Sequence, residues 1–186
     1  GSFLLSLTVM HLLPEVYEIH NHSNGESLDH NAGIFIMLGI LFQIILEFFS
    51  KGAEHGHVHG ENISHIPWLL FISLCIHAFL EGFPVGHDHG ELALGIAIHH
   101  LPIAIILTTF FINSHLNKKA IFIFMLSFAL MTPLGTLASE YFTGLNNYHR
   151  EITAVVIGIL FHISSTIIFE SSEGHKFNIA KVSMIV

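Results

Sequence analysis

Residues 66–108 read IPWLLFISLCIHAFLEGFPVGHDHGELALGIAIHHLPIAIILT. Two strongly apolar segments flank a short Gly/His/Asp loop at 86–90. This stretch constrains the fold because each segment carries ionisable groups deep inside it. The first holds His77 and Glu81, four residues apart and therefore on one face of a helix. The second holds His99 and His100, followed by Pro102. Ionisable groups inside an apolar span are costly unless they pair or bind something, so they point to function. Three imidazoles and one carboxylate on adjacent helices form a transition-metal donor set. A lone histidine here would read as a core residue; the combination shifts the reading to a site.

More than half of the 186 residues are apolar, 11% are charged, and the mean hydropathy is +0.66. That composition excludes an ordinary water-soluble domain and predicts an all-α, polytopic transmembrane helical bundle. The formal charge of −8 argues against nucleic-acid binding. Cys75, the one cysteine, lies in an apolar run, reads as a small core residue and rules out a disulfide framework. Seventeen histidines exceed what packing requires.

In chain order, 3–17 is an apolar helix with His11, Pro14 and Glu15 near its end, and 18–31 is an acidic, His-bearing loop. Residues 32–50, 66–85, 91–113, 120–142 and 152–169 follow as spans, each near the roughly 20 residues that cross a bilayer. Thr132-Pro133-Leu134-Gly135 is expected to kink the fourth of these. Counting 3–17, about six full spans are predicted, and FNIAKVSMIV begins another. Both termini read as cut through helices, so 1–186 is expected to be a single transmembrane transporter domain truncated at both ends. Within it, 51–65 is a His-rich loop with alternating His55, His57 and His59, compositionally a metal-binding segment. If loops alternate sides, Lys51, Lys118, Lys119, Lys176 and Lys181 share one side and Arg150 stands alone on the other, which predicts that 51–65 is cytoplasmic.

These motifs resemble the ZIP family of zinc and iron transporters, in a divergent bacterial-type form, over essentially the whole chain. HLLPE at 11–15 resembles the family's second helix, and the His tract falls at its variable cytoplasmic loop. His77-Ala-Phe-Leu-Glu81-Gly82 resembles the HNxPEG signature of the fourth helix. His99-His100-Leu-Pro102 resembles the HExPxE-type signature of the fifth, and TPLG resembles a proline-bearing stretch of the sixth. The resemblance implies an eight-helix fold, of which this chain lacks the first helix and most of the last. It also implies uptake of a divalent metal toward the cytoplasm across a bacterial inner (plasma) membrane.

The departures from the family pattern concern carboxylates. Ala78, Leu80 and Ile103 stand at signature positions often held by Asn or Asp, Pro and Glu, and His100 stands where an acid is common. One metal site rather than two is therefore expected. Its candidate ligands are His77, Glu81 and His99, with His100 fourth and His11 at the outer end of the path beside Glu15. His162 is expected to pack between helices. Zn²⁺ suits such ligation, as would Fe²⁺ or another divalent metal. The ion is cargo, not cofactor, and its ligands must be deprotonated to hold it. The remaining partners are the lipid bilayer and, among assemblies, a homodimer.

Other classes fit less well. No H-E-x-x-H and no Ser/His/Asp arrangement supports an enzyme. A bis-His haem protein using His77, His99 or His162 needs ligands opposed across helices, whereas these motifs imply a compact site. A membrane metal sensor working through the His loop is the remaining alternative.

Overall fold

A computed structural model describes residues 2–18, 30–50, 68–86, 90–112, 116–142, 144 and 147–170. The His-rich segment 51–65 and the expected last helix from 177 onward lie outside the described residues. Every regular element among the described residues is helical.

α1 (Ser2–Leu7) passes through a π-helical stretch (Thr8–Leu12) into α2 (Leu13–Glu18). Pro14 explains the irregularity. It has no N–H, and its ring crowds the carbonyl four residues earlier, so the register widens just ahead of it. Thr8 Oγ1 donates to the Leu4 carbonyl at 2.8 Å and ties the preceding turn. α3 (His30–Ser50) follows, and α4 (Trp68–Gly82) ends in a 3₁₀ turn at Phe83–Gly86. α5 (Gly90–Ile112) contains Pro102. α6 (Lys118–Tyr141) is capped by Asn117, whose side chain accepts from the Lys119 N–H at 3.1 Å. The helix continues through Pro133 rather than being interrupted at TPLG. α7 is His149–Glu170.

Five helices are long and apolar enough to cross a membrane: Asn31–Phe49, Trp68–Val85, Gly90–Thr109, Lys118–Tyr141 and His149–Ile168. Ser2–Tyr17 is apolar but shorter. Large apolar side chains cover the outside of the bundle, among them Leu41 and Phe48 on α3, Leu101 and Ile105 on α5, and Phe122 on α6. In water such a surface would drive aggregation; against acyl chains it is matched. The chain is an integral membrane protein on these grounds.

Two close crossings organise the bundle. α3 runs against α7, and α4 against α6. At the first, a Cβ on Gly39 would fall on the Val155 carbonyl oxygen, and one on Gly158 on the Ile36 carbonyl oxygen. At the second, Gly82 faces the Thr132 carbonyl and Gly135 the Phe79 carbonyl in the same reciprocal way. Small residues let helix backbones touch, which is the packing available where lipid removes any hydrophobic drive between helices. The second crossing is also stitched by a hydroxyl: Thr136 Oγ1 donates to the Gly82 carbonyl at 2.8 Å. The end of α4, next to Glu81, is thereby held by α6.

Apolar side chains gather in two clusters. One joins Leu12 and Val16 with Leu92, Ile96, Ile157 and Leu160. The other joins Leu74 and Ala78 with Ile103, Leu107, Phe124 and Phe128. α5 serves both, through Leu92 and Ile96 on one side of His99-His100 and Ile103 and Leu107 on the other. The polar residues therefore lie between two dry layers.

Adding a methyl at either crossing should force the helices apart. Gly158→Ala and Gly135→Ala are each expected to cost at least about 1–3 kcal/mol, the range for overpacking a well-filled core. Gly144→Ala, where a Cβ meets nothing within 4 Å, should be neutral. Thermal unfolding in detergent checks this, and equal melting of all three variants and the parent would mean the backbones do not touch.

Candidate metal centre

His77 falls at the middle of the Trp68–Val85 span, and His99 and His100 at the middle of Gly90–Thr109. On α4, the four-residue spacing stacks His77 and Glu81 on the face turned to α5. Consecutive residues on α5 point about 100° apart. His99 and His100 meet this geometry by straddling the direction of α4: their ring centroids are 5.5 Å apart, and each is 6.1 Å from the ring of His77.

One ligand-capable atom from each of His77, Glu81, His99 and His100 lies within 4.8 Å of all the others. Among the described residues this is the one such group. Glu81 Oε2 is 2.9 Å from His100 Nε2 and 3.4 Å from His77 Nε2. The side chains of His77 and Glu81 have no solvent exposure, and His100 is 15% exposed. Sequence reasoning ranks His99 ahead of His100; in the fold it is His100 that approaches the carboxylate most closely.

The electrostatics of the group are unusual for a closed core. Both Glu81 oxygens and the Nε2 atoms of His77, His99 and His100 are sealed from solvent, and the one short contact among them is that of His100 with Glu81. Buried polar atoms are normally satisfied, because each unsatisfied one costs about 1–3 kcal/mol. Three imidazoles and a carboxylate at one point, each able to offer a lone pair, fit a bound cation. In a tetrahedral zinc site with Zn–N near 2.0–2.1 Å, donor atoms are about 3.3 Å apart. The two contacts of Glu81, at 2.9 and 3.4 Å, bracket that value, and the widest separations in the group, up to 4.8 Å, would have to shorten to reach it.

Gln43 and Glu47 on α3 were not singled out by the motif reading. Gln43 is fully buried, and its Oε1 accepts from His77 Nδ1 at 3.2 Å. One turn further on, Glu47 Oε2 accepts from His162 Nε2 on α7 at 2.8 Å. Their i,i+4 spacing inside the apolar run FQIILEFF was the available signal, since polar groups within a span are rarely idle. His162 packs between helices, bridging α7 to α3 rather than joining the central group.

His11 lies outside the central group. It is exposed on the π-helical stretch, with Nε2 3.9 Å from Glu91 Oε2 at the start of α5. Glu15 is half-buried on α2, near the point where Arg150 Nε donates to the Val16 carbonyl at 2.9 Å. Ala78 and Ile103 both lie in the second apolar cluster, with Leu74 and Leu107 between the helices. Cys75 is buried as a free thiol.

Fold and site together define a class: a polytopic helical membrane protein with a three-histidine, one-glutamate cluster buried at mid-span. No family model, no curated protein and no solved structure matches the chain.

Because the positions beside the cluster are occupied by Ala78 and Ile103, one ion per chain is expected there. Anomalous diffraction from zinc-soaked crystals should give one peak among the four side chains. Two peaks closer than about 5 Å, beyond the usual 3.5–4 Å of two-metal sites, would contradict it.

Proposed function

We infer that the protein carries a divalent metal ion, zinc foremost, across the membrane toward the cytoplasm, as a ZIP-like transporter. The observation that carries this reading is the gathering of His77, Glu81, His99 and His100 at the middle of two spans, with one ligand-capable atom of each within 4.8 Å of the others. A catalytic cluster would need a nucleophile or base placed toward a substrate cavity, and no such motif accompanies these residues.

On this reading, an ion sheds its water and is held by neutral imidazoles and one carboxylate. The group has net charge −1 before the ion enters and +1 after, so the ion reduces none of the desolvation cost by charge alone. It compensates through direct bonds to all four donors. Ligands must be free of protons, so acid competes with the ion. Three or four ligands retain an ion and still permit exchange. Ser2–Tyr17 then serves as a sixth spanning helix, and the exposed His11–Glu91 pair stands at the outer end of the path. The lysine distribution puts the 51–65 tract on the inner side, where it tunes uptake without forming the path.

Single variants test the reading at matched membrane abundance. His77→Ala, Glu81→Ala and His99→Ala should each reduce zinc uptake into cells or proteoliposomes by at least about 10–100-fold, the loss seen even for groups one step removed from a metal. Parental uptake by both histidine variants would place the function elsewhere. Replacing His55, His57 and His59 together by Ser should leave uptake measurable while changing its apparent affinity or regulation. Complete loss in the triple variant would make the tract part of the path. The purified chain should show no Soret band; one would favour haem instead.

A further inference from the structure

Gln43 has no solvent exposure and sits in the middle of an apolar helix. An amide there is costly unless its groups are bonded. Its oxygen lies 3.2 Å from Nδ1 of His77. A carbonyl oxygen only accepts, so the ring donates from Nδ1. A neutral imidazole carries a single N–H, and Nε2 is left with a lone pair. That same Nε2 is the atom that faces Glu81 Oε2 at 3.4 Å and has no aligned hydrogen bond. A lone pair directed toward a carboxylate repels it. The arrangement is favourable when a cation sits between the two.

We propose that Gln43 is a positioning residue that holds His77 in the Nδ1–H form, presents the Nε2 lone pair to the cargo ion, and sets how tightly that ion is held. This deepens the metal-transport reading and rests on it. The neutrality of the amide matters. A carboxylate at this position would accept the same hydrogen bond and make the imidazole a stronger ligand. A neutral acceptor orients the ring while polarising it less, which suits an ion that has to leave. The placement is made by α3 packing across α4, and α3 is otherwise engaged with α7 through Gly39 and through Glu47–His162. Orientation of a ligand on α4 is thereby set by a helix that contributes no atom to the central group.

The reversed amide is the competing arrangement. Its NH₂ would donate to Nδ1, put the ring proton on Nε2, and aim that proton at Glu81, closing the site to a cation. The two forms are distinguished by long-range ¹H–¹⁵N correlation spectra of the full chain in detergent micelles, metal-free and labelled at histidine, with His77 assigned from a His77→Gln sample. Zn²⁺ retention by the same samples is read by competition with a fluorescent chelator. The parent should show the Nδ1–H form. Gln43→Glu should keep that form and retain Zn²⁺ several-fold more tightly. Gln43→Leu should populate both forms and retain Zn²⁺ about 10–100-fold less well. An Nε2–H ring in the parent overturns the proposal, as does a Gln43→Leu chain with the parental ring form and affinity. Should Gln43→Leu not fold, the parent spectrum and the Gln43→Glu affinity decide alone. An Nδ1–H parent that retains no Zn²⁺ would keep the orienting role and overturn the transport reading instead.

Discussion

A carboxylate sealed inside an apolar bundle has to be compensated by groups that the fold brings to it, and Glu81 is that carboxylate. Water is excluded, so the interaction of Glu81 with His77 and His100 acts at low dielectric and controls which helix arrangements are tolerable. Helices α4 and α5 cannot separate without leaving the charge alone. They cannot close fully either, because four ligand-capable side chains fill the space between them. The spacing of the four donor atoms is the compromise between these demands.

The backbone crossings make that compromise stable. Gly82 and Gly135 bring α4 against α6, and Thr136 donates to the carbonyl of Gly82, the residue after Glu81. Gly39 and Gly158 do the same for α3 and α7. Two tightly joined helix pairs then meet through α3 and α4, with Gln43 and His77 hydrogen-bonded across the contact. The polar centre is therefore bounded by contacts that depend on the absence of a side chain rather than on its presence. Apolar clusters lie on either side of it.

The proposed transport uses the same features in sequence. A donor set without protons of its own captures an ion, four ligands hold it, and a neutral amide rather than an acid backs one of them. Ala78 and Ile103, packed in the apolar cluster, supply no carboxylate to bridge a second ion. The polar pair Glu47–His162 sits one turn beyond Gln43 on the same helix, so α3 carries a line of polar groups through the apolar interior.

Much of this was legible in the residues themselves. Runs of apolar residues near 20 long can only be helices in a membrane, because every backbone group must be satisfied within the segment. His77 and Glu81 at i,i+4 share a face by helix geometry alone, so their partnership needs no tertiary information. Local sequence could not decide what lies across a helix contact. The approach of His100 to Glu81 depends on how α5 is rotated against α4, where Ile103 and Leu107 pack with Leu74 and Ala78. The pairing of Gln43 with His77 and of Glu47 with His162 joins residues 34 and 115 positions apart. His11, grouped with the ligands by its motif, stands exposed beside Glu91 on the π-helical stretch ahead of Pro14. Periodicity along one helix tells which residues share a side. Only the close packing of backbones at glycine contacts tells which sides meet, because that depends on shapes contributed by two segments distant in the chain.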